Sequence, residues 1–513
     1  MKSCVRVKRI NGIEYLYEDT PYYDREKKQI RHRSRYLGKN VDGRPVKKDK
    51  VTIKMPRNTY HYGEFLPLLD SVEKLGIGEL LAGYLGEEQS RTLLALCFNR
   101  VVRPMPFYQT QSWFETVWLK GEWGLDLSGP RISELLASIG DSSIPDKFSR
   151  GLVQRSAPAG TLIYDITSFS SYSRQIELLE HGYNREHTGT RQVNLSLVMD
   201  KEKMIPLLYD VYPGSITDVS TLLNTVKKIG AMGILDYMLV LDRGFFSTAN
   251  IDELMKSGLR FVIPATLQLK TVKQLVSRVH RTINDPNNLH MYGKETLFAK
   301  SAELQIGEHH LKGYCYYSPR KEHGDQESFY QRLHDLKERL ERMRLKSWMK
   351  PYHVFQETCK GYSQCYTWKF SEGRFHVNIK KNAVAQRVNK MGMYILFTND
   401  DLSWDECLST YKTRDIVEKG FDLLKNDLEA RPLNVQRENT LRGLLFVNFL
   451  SLILKMRLLQ QMSQTGLHEK YTINSLLFEL EKIKKVELED GTQVTTPLTK
   501  KQKDILDPLE LCA

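Results

Sequence analysis

TLIYDITSF (161–169), VNLSLVMD (193–200), IPLLYDVY (205–212), YMLVLD (237–242) and LRFVIPA (259–265) are the runs whose order decides the fold of this 513-residue chain. The first three are β-branched or aromatic segments at strand length, and Asp200-Lys201-Glu202-Lys203 supplies the turn between the second and third. A helix is expected from about Asp218 to Lys228. YMLVLD is short and apolar on both parities, as a strand buried on both faces must be. A second helix is expected from Thr248 to Lys256, capped by Ser247 and stopped by Gly258. The order is β-β-β-α-β-α-β, an α/β core built on a mixed sheet.

Two aspartates sit oddly in that core. Asp165 lies inside the first strand between Tyr164 and Ile166, and Asp242 ends the fourth. A carboxylate in a buried strand is costly unless a partner or a metal compensates. Strand-end hydrogen bonding for Asp165 and pairing with Arg243 for Asp242 are the plainer readings. If the first and fourth strands are neighbours, both carboxylates can instead converge on one cation.

Further along, MYILFT (393–398) resumes as a buried strand, and Ser403-Trp404-Asp405-Glu406 forms a capping box. The helix it starts contains YKTRDIVEKGFDLLK (411–425), which reads as one continuous helix. At about 100° per residue, Tyr411, Arg414, Glu418 and Lys425 fall roughly at +20°, −40°, 0° and −20° around its axis, so they share a face. A carboxylate between two cations and a phenol suits magnesium and phosphodiester better than a core. Asp415 and Asp422 project close by, and spacing alone does not choose between them and Glu418. Gly420 costs a helix about 1 kcal/mol relative to alanine; close approach of DNA and a packing contact are equal explanations.

The remaining segments frame this core. Residues 1–60 carry 17 Lys or Arg against 7 Asp or Glu, most of the net +13 of the whole chain. They alternate in short runs (VRVKRI, IEYLYE, VTIKM) broken at Asn11-Gly12 and Asp42-Gly43, which predicts a small basic sheet. Residues 61–158 turn helical and could hold a helix-turn-helix unit, although ordinary helix packing gives the same pattern. The core divides into 159–265 and 392–460, separated by 266–391, which mixes strands with a charged helix near Gln326–Lys346. Leu444–Leu454 is apolar, yet at eleven residues it is too short for a membrane and is expected as a core helix. Residues 461–513 form a C-terminal region, with an Asp490-Gly491 hairpin signal, that could serve oligomerisation. Seven scattered cysteines without a CxxC pair suit a reducing compartment, and Cys359 and Cys365, six apart and near no second ligand pair, are not expected to form a zinc site. MKSCVRVKRI lacks the apolar stretch of a signal peptide. A soluble protein is expected, and the basic N-terminus points to nucleic acid.

Asp165, Asp242 with Arg243-Gly244-Phe245, and Tyr411-x2-Arg414-x3-Glu418-x6-Lys425 together resemble the DDE transposases of prokaryotic insertion sequences, in the branch with the Tyr-Arg-Glu-Lys signature. The resemblance covers roughly residues 160–460. It implies an RNase H-like core interrupted by a β-rich insertion between the second aspartate and the glutamate. It implies that Asp165, Asp242 and Glu418 are the catalytic metal ligands, holding Mg2+ or Mn2+, two ions per site, and that Tyr411, Arg414 and Lys425 contact DNA-end phosphates. Double-stranded DNA, as terminal inverted repeats and as target, would be the partner of a homodimer in a synaptic complex, within the prokaryotic cytoplasm. An aromatic of the insertion, Trp348 or Trp368, could stack on a displaced base. Two other readings stay open: an RNase H-like nuclease without strand transfer, and an element-derived DNA-binding protein that has lost catalysis.

Overall fold

The computed structural model describes residues 2–47, 55–158, 160–182, 190–216, 218–267, 269–428, 433 and 435–512. The chain divides into a small unit, Met1–Thr59 with Val486–Val494, and a large unit, Tyr60–Lys485 with Thr495–Ala513.

The small unit is organised by an antiparallel meander of β1 (Cys4–Ile10), β2 (Ile13–Asp24), β3 (Gln29–Val41) and β4 (Arg44–Val46). Its first and last hairpins turn at the expected places, because Asn11, Gly12, Asp42 and Gly43 all take the left-handed conformation that two-residue hairpin loops need. Every residue of β1 is exposed. The VTIKM segment at 51–55 falls almost wholly outside the described residues.

In the large unit, helices that include α1 (Glu87–Val102) and α2 (Gly129–Gly140) precede the sheet. Then come β5 (Gly160–Ser170), β6 (Gln192–Asp200), β7 (Ile205–Pro213), α3 (Asp218–Ala231), β8 (Tyr237–Val240), α4 (Thr248–Lys256) and β9 (Arg260–Pro264). This is the order the sequence pattern predicts, down to the Ser247 hydroxyl accepting from the Asn250 N–H at the start of α4. Three further strands, β10 (Leu289–Tyr292), β11 (Glu295–Ile306) and β12 (His309–Tyr317), lead into α5 (Pro319–Arg342) and a hairpin of β13 (Tyr366–Ser371) and β14 (Arg374–Ile379). The chain continues with β15 (Met393–Thr398), α6 (Trp404–Lys412), α7 (Asp415–Asp422), a π-helical turn at Leu423–Asp427, α8 (Glu438–Gln464) and α9 (Ile473–Glu481).

Nine strands form one mixed sheet in the order β10-β11-β12-β15-β9-β8-β5-β6-β7. β5, β8 and β9 are parallel to one another, and the other neighbours are antiparallel. The expectation of a segregated β-rich segment at 266–391 needs correction here. β10–β12 extend the main sheet, because β12 pairs along its length with β15. What stands apart is residues 319–391, where α5 and the β13–β14 hairpin close a small core around Phe329, Leu333, Leu336, Tyr366 and Phe375. The charged helix also begins earlier than its charge pattern suggests, since Pro319 occupies its first turn and Ser318 caps it.

Alternating residues of β5 feed two cores. Ile163 and Phe169 join α1, α2, α7 and α8 on one face, while Leu162 and Tyr164 face α3 and α4 on the other. The run Leu444–Leu454 belongs to a helix of 27 residues, α8, long and apolar enough by composition to cross a membrane; 94% of that apolar window is buried within the protein. α2 crosses α8 with backbones almost touching. A Cβ at Gly443 would lie 2.0 Å from the Leu136 carbonyl oxygen, and one at Gly140 1.8 Å from that of Asn439. The helical region and the sheet therefore share one hydrophobic core.

Candidate active site

The register of the parallel strands sets the site. Ile163 pairs with Val240 at the end of the parallel ladder, so Asp165 lies two residues further along β5 and Asp242 two residues past the end of β8. Both have the parity of Ile163 and Val240, which face the core containing α7. Asp165 is 5% exposed, and its Oδ1 accepts from the Ile166 N–H at 2.8 Å. Asp242 accepts from the Arg243 N–H at 2.6 Å and caps the short turn Arg243–Phe245.

The signature residues arrive from the opposite side, and not on one helix. α6 ends at Lys412; Thr413 and Arg414 form a turn, α7 carries Glu418, and Lys425 sits in the π-helical turn. The break has a local cause. The N–H groups of Arg414 and Val417 bond to the carbonyls three residues back, Tyr411 and Arg414, so the chain tightens to 3₁₀ geometry there. Thr413 assists with a hydroxyl bond of 2.6 Å to the Thr410 carbonyl. α7 then lies across β5 and β6. Gly420 faces this contact: its added Cβ would meet Met199 Sδ at 3.3 Å and Leu197 Cδ2 at 3.7 Å. At Gly420, α7 therefore lies close against β6.

Arg414 connects the two halves. Its guanidinium donates to the Asp242 carboxylate through Nη1 and to the Glu418 carboxylate through Nη2, and its side chain is only 14% exposed. The ring of Tyr411 lies 5.8 Å from Arg414 Cζ. Burial pushes the Tyr411 phenol above its ordinary pKa; the carboxylates of Asp242 and Asp165 push the same way, opposed by Arg414 and Arg243. The phenol is thus sensitive to both aspartates. Lys425 Nζ stands 5.7 Å from the centre of the Phe169 ring on β5. Tyr411, Arg414 and Asp242 also line a cleft of about 750 Å³, together with Arg243, Tyr292 and Tyr394.

The three acids are of the kind that holds Mg2+, which takes hard oxygen ligands and tolerates few others. Their elements converge, and a cationic group already spans two of them. Their oxygens do not yet gather at one point: among the described residues, the one group of three ligand atoms within 4.8 Å of one another is His61, Glu64 and Glu481. Asp415 and Asp422 share α7 with Glu418, but the Arg414 bridge reaches Glu418. Of the two tryptophans, Trp348 is 72% exposed, whereas Trp368 packs on Phe355 and Phe375. Sequence reasoning missed Lys455, which is 1% exposed and pairs at 3.0 Å with Asp427 at the end of the π-helical turn. Its signal was available as a lone lysine within an apolar helix.

Residues 157–454, more than half of the chain, match the family described as the transposase DDE domain. The chain belongs to that family and is a DDE transposase. No curated protein matches it. Among solved structures, the cryo-EM synaptic complex of piggyBac transposase with hairpin DNA is similar, with 11% identity and a TM-score of 0.37 over 77% of this chain and 70% of that one.

Proposed function

We propose that this protein is an insertion-sequence transposase of the Tyr-Arg-Glu-Lys branch that binds the terminal inverted repeats of its element, cleaves there and joins the freed ends to target DNA. The observation that carries the reading is the placement of Asp165 on β5 and of Asp242 just past the end of its parallel neighbour β8, with Glu418 tied to Asp242 through Arg414. The strand order β7-β6-β5-β8-β9 supports an RNase H-like core, in which residues 319–391 are the inserted part. The basic residues 1–60 and the helices up to 158 supply DNA contacts, and a homodimer pairs two ends.

Asp165, Asp242 and Glu418 would hold the divalent ions, which supply charge neutralisation at the attacking and leaving oxygens of a phosphodiester. The residues of the chain do the positioning. Arg414 neutralises Asp242 and Glu418 while DNA is absent, and turns to a phosphate oxygen when DNA enters. Tyr411 contacts the same strand through its phenol and keeps its proton, and Lys425 contacts a neighbouring phosphate. Two phosphoryl transfers follow. In the first, a water oxygen bonds to phosphorus and the 3′ oxygen of the element leaves as a hydroxyl. In the second, that hydroxyl bonds to a target phosphorus and a target 3′ oxygen leaves. One phosphoester bond forms for each that breaks in the second step, so no nucleotide cofactor and no covalent enzyme intermediate are required.

The test uses labelled element-end DNA with Mg2+ or Mn2+ and a target plasmid. Asp165→Ala, Asp242→Ala and Glu418→Ala should each abolish cleavage while retaining end binding; full activity in any of them removes that residue from the site. Products joined to the plasmid are expected, and cleavage without joined products would make the protein a nuclease.

A further inference from the structure

His61, Glu64 and Glu481 form a second convergent group in the large unit, and the signature motif has no part in it. His61 ends the strand Pro56–His61, Glu64 lies in the short 3₁₀ turn Gly63–Phe65, and Glu481 is the last residue of α9. The two segments are closely joined, since the Gly63 N–H donates to the Ile483 carbonyl at 3.1 Å and a Cβ at Gly63 would lie 2.3 Å from the Leu480 carbonyl oxygen. His61 Nδ1 is 2.8 Å from Glu64 Oε1 and 3.5 Å from Glu481 Oε1.

Two features leave this group unsatisfied. Glu64 is 1% exposed, and its Oε2 is buried without a hydrogen-bond partner. A buried carboxylate with one idle oxygen costs free energy until something positive meets it. The second feature concerns one nitrogen. His61 Nδ1 faces the Glu64 oxygen at 2.8 Å and also the Lys484 ammonium at 2.9 Å. The carboxylate asks Nδ1 to donate a proton, whereas the ammonium asks it to accept one, and a single ring nitrogen cannot do both. A metal ion resolves the conflict by taking the Nδ1 lone pair and both carboxylates while the flexible Lys484 side chain turns away. The C-terminus of α9 adds negative potential at the same place.

We infer that His61 Nδ1, Glu64 and Glu481 bind a divalent transition metal, Zn2+ by the chemistry of one imidazole and two carboxylates, which fastens the entering chain to the end of α9. The spacing suits it. Tetrahedral zinc with bonds of about 2.05 Å sets its ligands about 3.4 Å apart, and the two separations from His61 Nδ1, 2.8 and 3.5 Å, lie on either side of that value. Water completes the shell. This site is separate from the catalytic acids and does not depend on the proposed reaction.

The full-length chain carrying Asp165→Ala, Asp242→Ala and Glu418→Ala is stripped with chelator, loaded with Zn2+, desalted and assayed for bound metal, and Co2+ is added in parallel to read the ligand-field spectrum. One equivalent is expected in this background, falling to none with His61→Ala or Glu64→Gln added. Glu481→Gln, at the solvent edge, should weaken binding at least tenfold and alter the Co2+ spectrum even if the buried variants fail to fold. Lys484→Ala should tighten binding, because a competing cation is gone. Absence of metal from the parent chain, or equal occupancy and an unchanged Co2+ spectrum in Glu481→Gln, would overturn the assignment.

Discussion

Asp427→Ala should destabilise the large unit by several kcal/mol at pH 7, and the deficit should shrink as pH rises. The reason lies in the asymmetry of its ion pair with Lys455. The ammonium is 1% exposed on α8, while the Asp427 carboxylate is 30% exposed at the end of the signature segment. Removing the aspartate strands a buried cation, a change that costs about 3–5 kcal/mol in comparable pairs. The protein can escape only by deprotonating the lysine, which costs about 1.36 kcal/mol for each pH unit below an ordinary pKa near 10.4. That route caps the loss at about 4.6 kcal/mol at pH 7 and about 1.9 kcal/mol at pH 9. The sign agrees with the native state, where burial already holds Lys455 below its ordinary pKa and Asp427 opposes the shift. Between the lowered folded pKa and the unfolded value the unfolded chain binds the extra proton, so the variant gains stability as pH increases. Urea unfolding of wild type and Asp427→Ala at both pH values measures it, and adding Lys455→Met should recover most of the loss. A loss below about 1 kcal/mol at pH 7, or one unchanged at pH 9, refutes the argument.

Gly443→Ala should cost about 1–3 kcal/mol or more, or prevent soluble folding, since its methyl would enter the Leu136 carbonyl across the α2–α8 crossing; wild-type urea stability in that variant would mean the helices are not in such close contact. Gly420→Ala should change stability by less than about 1 kcal/mol, because the nearest atom is the flexible Met199 sulfur and the helix gains intrinsic propensity. Gly420→Leu should overpack the same gap and lose about 1–3 kcal/mol, and equal stability of the two would remove β6 as the neighbour. Arg414→Gln frees Asp242 and Glu418 of their guanidinium, so Mn2+ binding followed by electron paramagnetic resonance should tighten while cleavage of element ends falls; weaker Mn2+ binding would show that Arg414 organises the acids instead of competing for them.

Legibility in the sequence followed the range of the interaction. Ser247, Ser403 and Gly258 act within one turn of chain, and the structure keeps each as the residue pattern predicts. The adjacency of β5 and β8 was legible only as a condition, because apolar runs declare burial but not partners. β10–β12 illustrate what stays hidden. Their alternation marks strands, yet joining the main sheet depends on β15, whose paired residues lie about eighty positions later in the chain. Lys455 was visible as a lysine and its partner was not, since Asp427 lies 28 positions earlier in the chain and on a different element.

The signature itself shows why even-handed helical geometry misleads at such a site. On an ideal helix Arg414 would stand roughly 60° from Tyr411. The 3₁₀ turn advances about 120° per residue, which brings Arg414 back under Tyr411, within 5.8 Å of its ring and in contact with Asp242. The π-helical turn then has the opposite effect: the Leu428 N–H reaches back five residues to the Leu423 carbonyl, the winding slackens, and Lys425 swings toward Phe169 on β5. The stretch from Tyr411 to Lys425 therefore holds a tightened turn followed by a loosened one. Both departures fall within the stretch that helical spacing alone reads as a single continuous helix.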